Sequence, residues 1–257
     1  ILTTLFLQIL SNLANDYGDA EKGTDNENRV GPERAIQSGA ISKSQMKKAI
    51  IIFVILSFSF GVSLVAYAMR NAHLGYTLFL LITGILSIIA AIKYTSGETA
   101  YGYKGLGDLF VFIFFGLIGV LGSKFLYTAS FELASLLPAM TIGLFSAAVL
   151  NLNNMRDWEN DKASEKNTLV VKVGLPKAKK YHFTILIIGI VASITFVLQL
   201  EFRLIELTFV LAFIPVVLHL KRVAEIEENP TDFDPELKKV ALSTFLFSLL
   251  FLLSAIV

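Results

Sequence analysis

Cysteine is absent from this chain, which excludes a disulfide framework, a thiol nucleophile and a thiolate metal site. Histidine is scarce: His73, His182 and His219 are scattered, with no carboxylate at metal-ligand spacing, and they read as interfacial residues. No grouping of serine, histidine and aspartate suggests nucleophilic catalysis. The apolar runs lack any alternation of period two, so a membrane β-barrel is disfavoured. No basic region with a small-residue cleavage site precedes the first apolar run, so a removable signal peptide is a poor reading.

What the chain has in quantity is apolar sequence. At 54% apolar and 12% aromatic residues it is too hydrophobic for an ordinary soluble domain of 257 residues. Crossing a bilayer takes about 20 residues of helix. Apolar blocks of about that length lie at 49–69, 73–92, 106–123, 126–150, 182–200, 204–220 and 240–257, with a partial eighth at 1–14. Backbone groups in lipid must be satisfied internally, which favours helices. The expected fold class is all-α, a polytopic transmembrane helical bundle forming a single domain over 1–257. The first block has eleven residues before Asn12, about 16 Å of helix at ~1.5 Å per residue, and the chain starts with Ile instead of Met. The N-terminus therefore reads as truncated.

A net charge of +1 hides a strong asymmetry. With the connections assigned to alternating sides, segments 15–48, 93–105, 153–181 and 221–239 carry nineteen of the twenty-two Lys and Arg. The opposite side has only Arg70, Lys124 and Arg203, in short connections around Arg70 to His73, Lys124 to Ser130 and Glu201 to Arg203. The positive-inside rule makes the rich side cytoplasmic. Eighteen of the twenty-one acids share it, leaving Glu132, Glu201 and Glu206 elsewhere. Two of its connections run to about thirty residues, and loops that long are usually functional.

Two polar cassettes stand in those loops, Asn12-Leu-Ala-Asn15-Asp16-Tyr-Gly-Asp19 and Asn151-Leu-Asn-Asn154-Met-Arg156-Asp157-Trp-Glu-Asn-Asp161. Both open with Asn-Leu-x-Asn at the end of an apolar run, 139 residues apart counted from Asn12 to Asn151. Four spans separate them, an even number, so both emerge on one face. Residues three and four apart share a helix face, so Asn12, Asn15 or Asp16, and Asp19 form one stripe, and Asn151, Asn154, Asp157 and Asp161 another. Carboxylates at such spacing repel unless a cation sits between them, and hard oxygen ligands suit Mg²⁺, which shares itself with substrate phosphates.

The plainer alternative is a charged collar at helix ends. Two matching cassettes on one face weigh against it, because polar groups at a span's end are costly and usually functional. Lys22, Arg29 and Arg34 follow the first cassette, and Arg156, Lys162, Lys166 and Lys172 lie in or after the second. Carboxylates, metal and basic residues together make a diphosphate clamp. Lys177, Lys179 and Lys180 fit simple positive-inside topology, and Glu225 to Glu228 fits a solvated loop. Between the cassettes, Tyr101-Gly-Tyr103-Lys104-Gly-Leu-Gly107-Asp108 opens a span. No strand precedes it, so it is not a nucleotide fingerprint. Its tyrosines suit either a developing cation or an interfacial belt.

On these residues the chain resembles the UbiA-type superfamily of intramembrane prenyltransferases. The stretch Asn15-Asp-Tyr-Gly-Asp19 with Lys22-Gly23-Thr-Asp25, Arg29-Val-Gly-Pro-Glu-Arg34 and Ser38-Gly39 is similar to the branch acting on 1,4-dihydroxy-2-naphthoate. So are Tyr101 to Asp108 and Arg156-Asp157-x-x-x-Asp161 with Lys166-x-Thr168 and Lys172-Val-Gly174. The broader family often has a further aspartate where Gly23 stands, with Asp25 two residues on.

The resemblance implies nine transmembrane helices, of which eight are here and the first is missing. It implies transfer of a polyprenyl group from its diphosphate to 1,4-dihydroxy-2-naphthoate, with loss of CO₂, giving demethylmenaquinone at the cell inner membrane. It puts Mg²⁺ on the diphosphate, held by Asp16, Asp19, Asp157 and Asp161 with help from Asn12, Asn15 and Asn154. Lys22, Arg156, Lys166 and Lys172 would grip phosphates. Tyr101 or Tyr103 would shelter the allylic cation, and Arg34 or Lys104 would anchor the acceptor carboxylate. The expected partners are these two substrates and the lipid bilayer, with no nucleic acid. Another phenolic acceptor, such as 4-hydroxybenzoate, stays open, and a non-enzymatic membrane carrier is the less favoured alternative. A CDP-alcohol phosphatidyltransferase would need an Asp-Gly pair followed by Ala-Arg within one cassette, which is lacking.

Overall fold

The computed structural model describes residues 1–27, 29–199, 204–227 and 229–256. Among them there are helices and turns and no strand. The chain runs through α1 (Leu2–Lys22), α2 (Lys43–Ala68) and α3 (Leu74–Lys93). Then α4 (Gly107–Val111) continues as a π-helical stretch, Phe112–Leu121, into α5 (Gly122–Thr128). There follow α6 (Leu136–Arg156), α7 (Trp158–Ala163), α8 (Leu169–Val173), α9 (Leu175–Leu198), α10 (Ile214–Glu225) and α11 (Asp234–Ile256).

Among the described residues, seven stretches are long and apolar enough to cross a membrane: Lys43–Ala68, Leu74–Lys93, Gly107–Thr128, Leu133–Arg156, Leu175–Leu198, Glu206–Glu225 and Pro230–Ser254. Each matches one apolar block, and the chain is an all-α polytopic membrane bundle. The boundaries differ where helices run on into charged sequence. Block 182–200 becomes a helix from Leu175, and block 240–257 one from Asp234. Lys and Glu are good helix formers, and a span needs only its middle to be apolar. Lys124, expected in a connection, lies inside α5. The block at 1–14 is part of α1, whose helix continues through the whole first cassette. The expected connection around Glu201 to Arg203 lies outside the described residues, as does Glu228 of the acidic run.

The chain divides into two compact units, each made of several segments. The first comprises Ile1–Gly107, Gly122–Ser130 and Glu159–Thr168. In it α1, α2 and α3 pack on one another. Ser42 caps α2 by accepting from the Gln45 N–H while the Gln45 side chain accepts from the Ser42 N–H, a reciprocal box that starts the helix in charged sequence. Val65, Met69 and Leu80 gather with Phe125 and Leu126 as its small apolar core. A Cβ on Gly18 would lie 2.4 Å from Thr95 Oγ1 and 2.8 Å from the Thr95 backbone carbon, so only glycine lets α1 come this close. The Thr95 hydroxyl then donates to the Ala14 carbonyl at 3.0 Å.

The second unit comprises Asp108–Leu121, Phe131–Trp158 and Leu169–Val257. Its centre is α6, packed by α9, the π-helical stretch and α11. In lipid, helix association depends on close packing of small residues. Accordingly a Cβ on Gly116 would meet the Gly143 Cα at 2.6 Å. Phe145, Phe209, Phe213 and Phe247 are fully or nearly fully buried and meet at aromatic centroid distances of 5.6–5.9 Å.

His182 and His219, read as interfacial, are instead wholly buried in this unit. Their Nε2 atoms lie 2.7 Å apart, and His219 Nδ1 lies 2.7 Å from Glu236 Oε2. Lys239 Nζ donates to the other Glu236 oxygen at 2.6 Å. The chain of four side chains ties α9, α10 and α11 together. His73 matches its expected surface position, where its ring accepts from the Gly75 N–H and caps α3.

Candidate functional site

In the first unit the two cassettes meet. Asp19, on the buried side of α1, accepts from Lys166 Nζ at 3.0 Å and from the Tyr103 hydroxyl at 2.7 Å. Lys166 also lies 3.9 Å from Asp161, on α7. The ammonium groups of Lys22 and Lys166 stand 3.9 Å and 5.4 Å from the centroid of the Tyr103 ring. Both are cation–π contacts on the face of one ring. Its hydroxyl also pairs with Thr24, whose carbonyl accepts from Asn160 at 2.8 Å. A polar chain therefore links the end of α1, the turn before α4 and α7.

Around this core lie two more carboxylates, each with an arginine. Arg34 pairs with Asp16 at 2.7 Å and Arg29 with Asp25 at 3.1 Å. Gly23, standing where the broader family often has an aspartate, ends α1 with φ 74° and donates its N–H to the Asp19 carbonyl. An aspartate there would need the left-handed backbone that glycine adopts freely. The turn carries Asp25 inward instead, with its side chain 1% exposed.

Burial pushes the Asp16 carboxyl above its ordinary value, Arg34 and Arg29 pull it back, and Asp19 adds to the rise. Asp25 is raised by burial and then by Asp19. Burial lowers Lys22, only partly offset by Asp19. Burial would lower Lys166 as well, but Asp19 and Asp161 carry it above the ordinary lysine value. The site sets four acids, Asp16, Asp19, Asp25 and Asp161, against four cations, Arg34, Arg29, Lys22 and Lys166.

Among the described residues no three acids or histidines close into a ready-made metal cage. Magnesium does not ask for one, since it is commonly bound by one or two carboxylates plus waters and phosphates. The donor set fits that habit. Asn15 Oδ1 and Asp25 Oδ2 are buried oxygens without a hydrogen bond, hard acceptors of the kind Mg²⁺ takes.

In the second unit, Asp157 follows the last residue of α6 and Arg156 holds it with a fork. Nε donates to one carboxylate oxygen at 2.9 Å and Nη2 to the other at 2.8 Å, while Nη1 reaches Asp234 at 2.8 Å. Asn154 and Asn151 are buried on the same helix. The expected single stripe from Asn151 to Asp161 is therefore corrected. The backbone leaves the helix at Asp157 (φ −94°, ψ 8°), and Asp161 rides on the separate α7.

Several expected site residues lie elsewhere. Asn12 is exposed on α1, where it accepts from Gln8 at 3.5 Å. Tyr101 donates to the Ala90 carbonyl at 2.9 Å and packs edge-on against Tyr94. Lys104 and Lys172 are exposed. Sequence reasoning missed Thr24, Asn160 and Asp234. The Asp-Pro at the start of α11, an acid at a helix N-terminus, was the signal for Asp234, and no local pattern marks the other two.

A family model, the UbiA prenyltransferase family, matches residues 1–254. The chain belongs to that family. A protein of Escherichia coli called 1,4-dihydroxy-2-naphthoate octaprenyltransferase is 44% identical over 253 residues, 98% of this chain and 81% of that protein. A protein of Haemophilus influenzae with the same name is 40% identical over 257 residues, all of this chain and 82% of its own. One from Mycobacterium tuberculosis, again so named, is 34% identical over 189 residues, 74% of this chain and 61% of its own. No solved structure matches. In the cluster of Asp19, Lys166 and Asp161, Lys166 bridges one acid of each cassette.

Proposed function

We propose that this UbiA-family member transfers a polyprenyl group from polyprenyl diphosphate to 1,4-dihydroxy-2-naphthoate at the cytoplasmic face of the bacterial inner membrane, releasing diphosphate and CO₂. The observation that carries the reading is Lys166, bridging an acid of each cassette, in a chain whose relatives bear that acceptor in their names.

Lys166 has three N–H donors. One is given to Asp19 and Asp161 stands at ion-pair distance, which leaves donor capacity for a phosphate oxygen. Tyr103 orients Asp19 from the other side, and Lys22 over its ring adds a second cation at the same place. Arg34 and Arg29 hold Asp16 and Asp25 in place. The family resemblance gives Asp157, four residues before Asp161 in the chain, a part in the same chemistry, and Arg156 holds its carboxylate. Bound magnesium would neutralise the leaving diphosphate as the allylic C–O bond breaks. The acids Asp16, Asp19, Asp157 and Asp161 would hold it, with Asn15 and Asn154 beside them. The exposed apolar faces of the spans meet the lipid that also dissolves the prenyl tail.

The test is Asp157→Asn in the full-length protein, assayed in membranes with labelled polyprenyl diphosphate, naphthoate acceptor and Mg²⁺. The expected result is a fall of about 100-fold or more in turnover, the scale of losing a preorganised charge. Unchanged turnover would sink the clamp.

A further inference from the structure

One buried polar layer in the second unit has no part in the clamp. Asn151, at 0% exposure on α6, has neither its amide nitrogen nor its oxygen hydrogen-bonded. Asp108, at 5% exposure on α4, faces the Tyr181 hydroxyl of α9, yet neither carboxyl oxygen has a hydrogen bond of ordinary geometry. Buried polar groups are nearly always satisfied, and each exception calls for a missing partner. Here four such atoms belong to two side chains.

The packing puts these side chains at the same end of their helices. Gly143 of α6 lies against Phe112, and Gly189 of α9 lies against Phe145 and accepts from Thr141. From those contacts Asp108 is four residues towards the charged helix ends, Tyr181 eight, and Asn151 six to ten. Helix side chains tilt towards the N-terminus, which moves Asp108 outward and Asn151 inward, towards each other. Asn151 is six residues from Asp157 on the same helix rise, about 9 Å at ~1.5 Å per residue. An allylic carbon and one aromatic ring span about that length.

Resting on the reading above, we propose that Asp108, with Tyr181 and Asn151, is the subsite for the acceptor's ring hydroxyl, and that Asp108 takes its proton. A carboxylate accepts from the hydroxyl, and an amide N–H donates to its oxygen. As the ring carbon bearing the carboxylate bonds to the allylic carbon, the C–O bond to diphosphate breaks. The hydroxyl proton passes to Asp108, and the hydroxyl becomes a ketone. Loss of CO₂ returns its C–C electron pair to the ring, and the oxygen takes the proton back from Asp108. The step is redox-neutral and leaves Asp108 ionised for the next turn.

The experiment uses the full-length protein in nanodiscs, starting with the unmodified chain on 1,4-dihydroxy-2-naphthoate and on 4-hydroxybenzoate. On whichever acceptor is used, Asp108→Asn lowers kcat by about 10²–10⁴-fold, the range for general base catalysis. The KM for the polyprenyl diphosphate stays within about twofold and the unfolding temperature does not fall. Tyr181→Phe lowers kcat/KM for the acceptor by about tenfold, again with the donor KM unchanged. Turnover within about threefold for both variants overturns the proposal, as does a parallel loss of donor affinity, or a lowered unfolding temperature in a variant that folds. Should Asp108→Asn not fold, Tyr181→Phe decides alone by the same measures. A penalty seen only with 4-hydroxybenzoate upholds the subsite and rejects the naphthoate reading, while a chain active on neither phenol rejects both.

Discussion

Replacing Lys166 by Met removes one ammonium and leaves two buried carboxylates facing each other. Asp19 and Asp161 have side-chain exposures of 5% and 4%, and Lys166 itself 11%, so solvent screens little of the loss. Breaking a buried pair costs about 3–5 kcal/mol. Asp19 keeps the Tyr103 hydroxyl, which places the expected loss at the lower end, about 3 kcal/mol. At about 2–4 °C per kcal/mol for a chain of this size, the unfolding temperature in nanodiscs falls by roughly 6–12 °C. Adding Asp19→Asn to Lys166→Met removes one of the two stranded charges and recovers at least about 1 kcal/mol, as coupled neighbours do. A drop of less than about 2 °C in metal-free buffer, on the same scale, or a double variant weaker than Lys166→Met, would refute the reasoning.

Three further outcomes follow from the same geometry. Gly18→Ala forces α1 away from Thr95, and the resulting shift of Asp19 lowers prenyl transfer by about 100-fold, the scale of a misplacement near 1 Å; turnover within threefold in a membrane assay contradicts it. His219→Leu strands His182 and Glu236 and costs about 1–3 kcal/mol per unsatisfied group, read as a lower unfolding temperature with the Mg²⁺ dependence of turnover unchanged. Asp16 and Asp25 are raised by burial, so at mildly acid pH the metal-free protein holds protons that an ionised ligand set must release. Titration calorimetry of Mg²⁺ alone in two buffers of different ionisation enthalpy should show proton release that is larger at pH 5 than at pH 8, and equal heats in both buffers at pH 5 would contradict it.

Hydropathy was enough to find the seven spans among the described residues, because a lipid-facing helix is apolar over its whole middle and nothing in lipid competes with helix. It could not place the ends, where α9 begins in Leu175-Pro-Lys-Ala-Lys-Lys and α11 in Asp234-Pro-Glu-Leu-Lys-Lys. Spacing found the stripe on α1 because that helix is unbroken to Lys22, and it failed on the second cassette because the backbone turns at Asp157. The pairing of Lys166 with both Asp19 and Asp161 joins residues 147 apart in one case, and tertiary contacts at that separation leave no periodic trace. His182, His219 and Glu236 were missed for the same reason: each stands alone in its own apolar or charged segment. Gly23, which looked like a lost ligand, is the turn that brings Asp25 in.

The central claim is the reaction itself, and mass spectrometry of the product tests it most directly. The full-length protein, purified and given polyprenyl diphosphate, Mg²⁺ and 1,4-dihydroxy-2-naphthoate carrying a labelled carboxylate, should yield the prenylated ring without the label, and labelled CO₂ in equal amount. A prenylated product that keeps the carboxylate, or turnover on 4-hydroxybenzoate but none on the naphthoate, would contradict it.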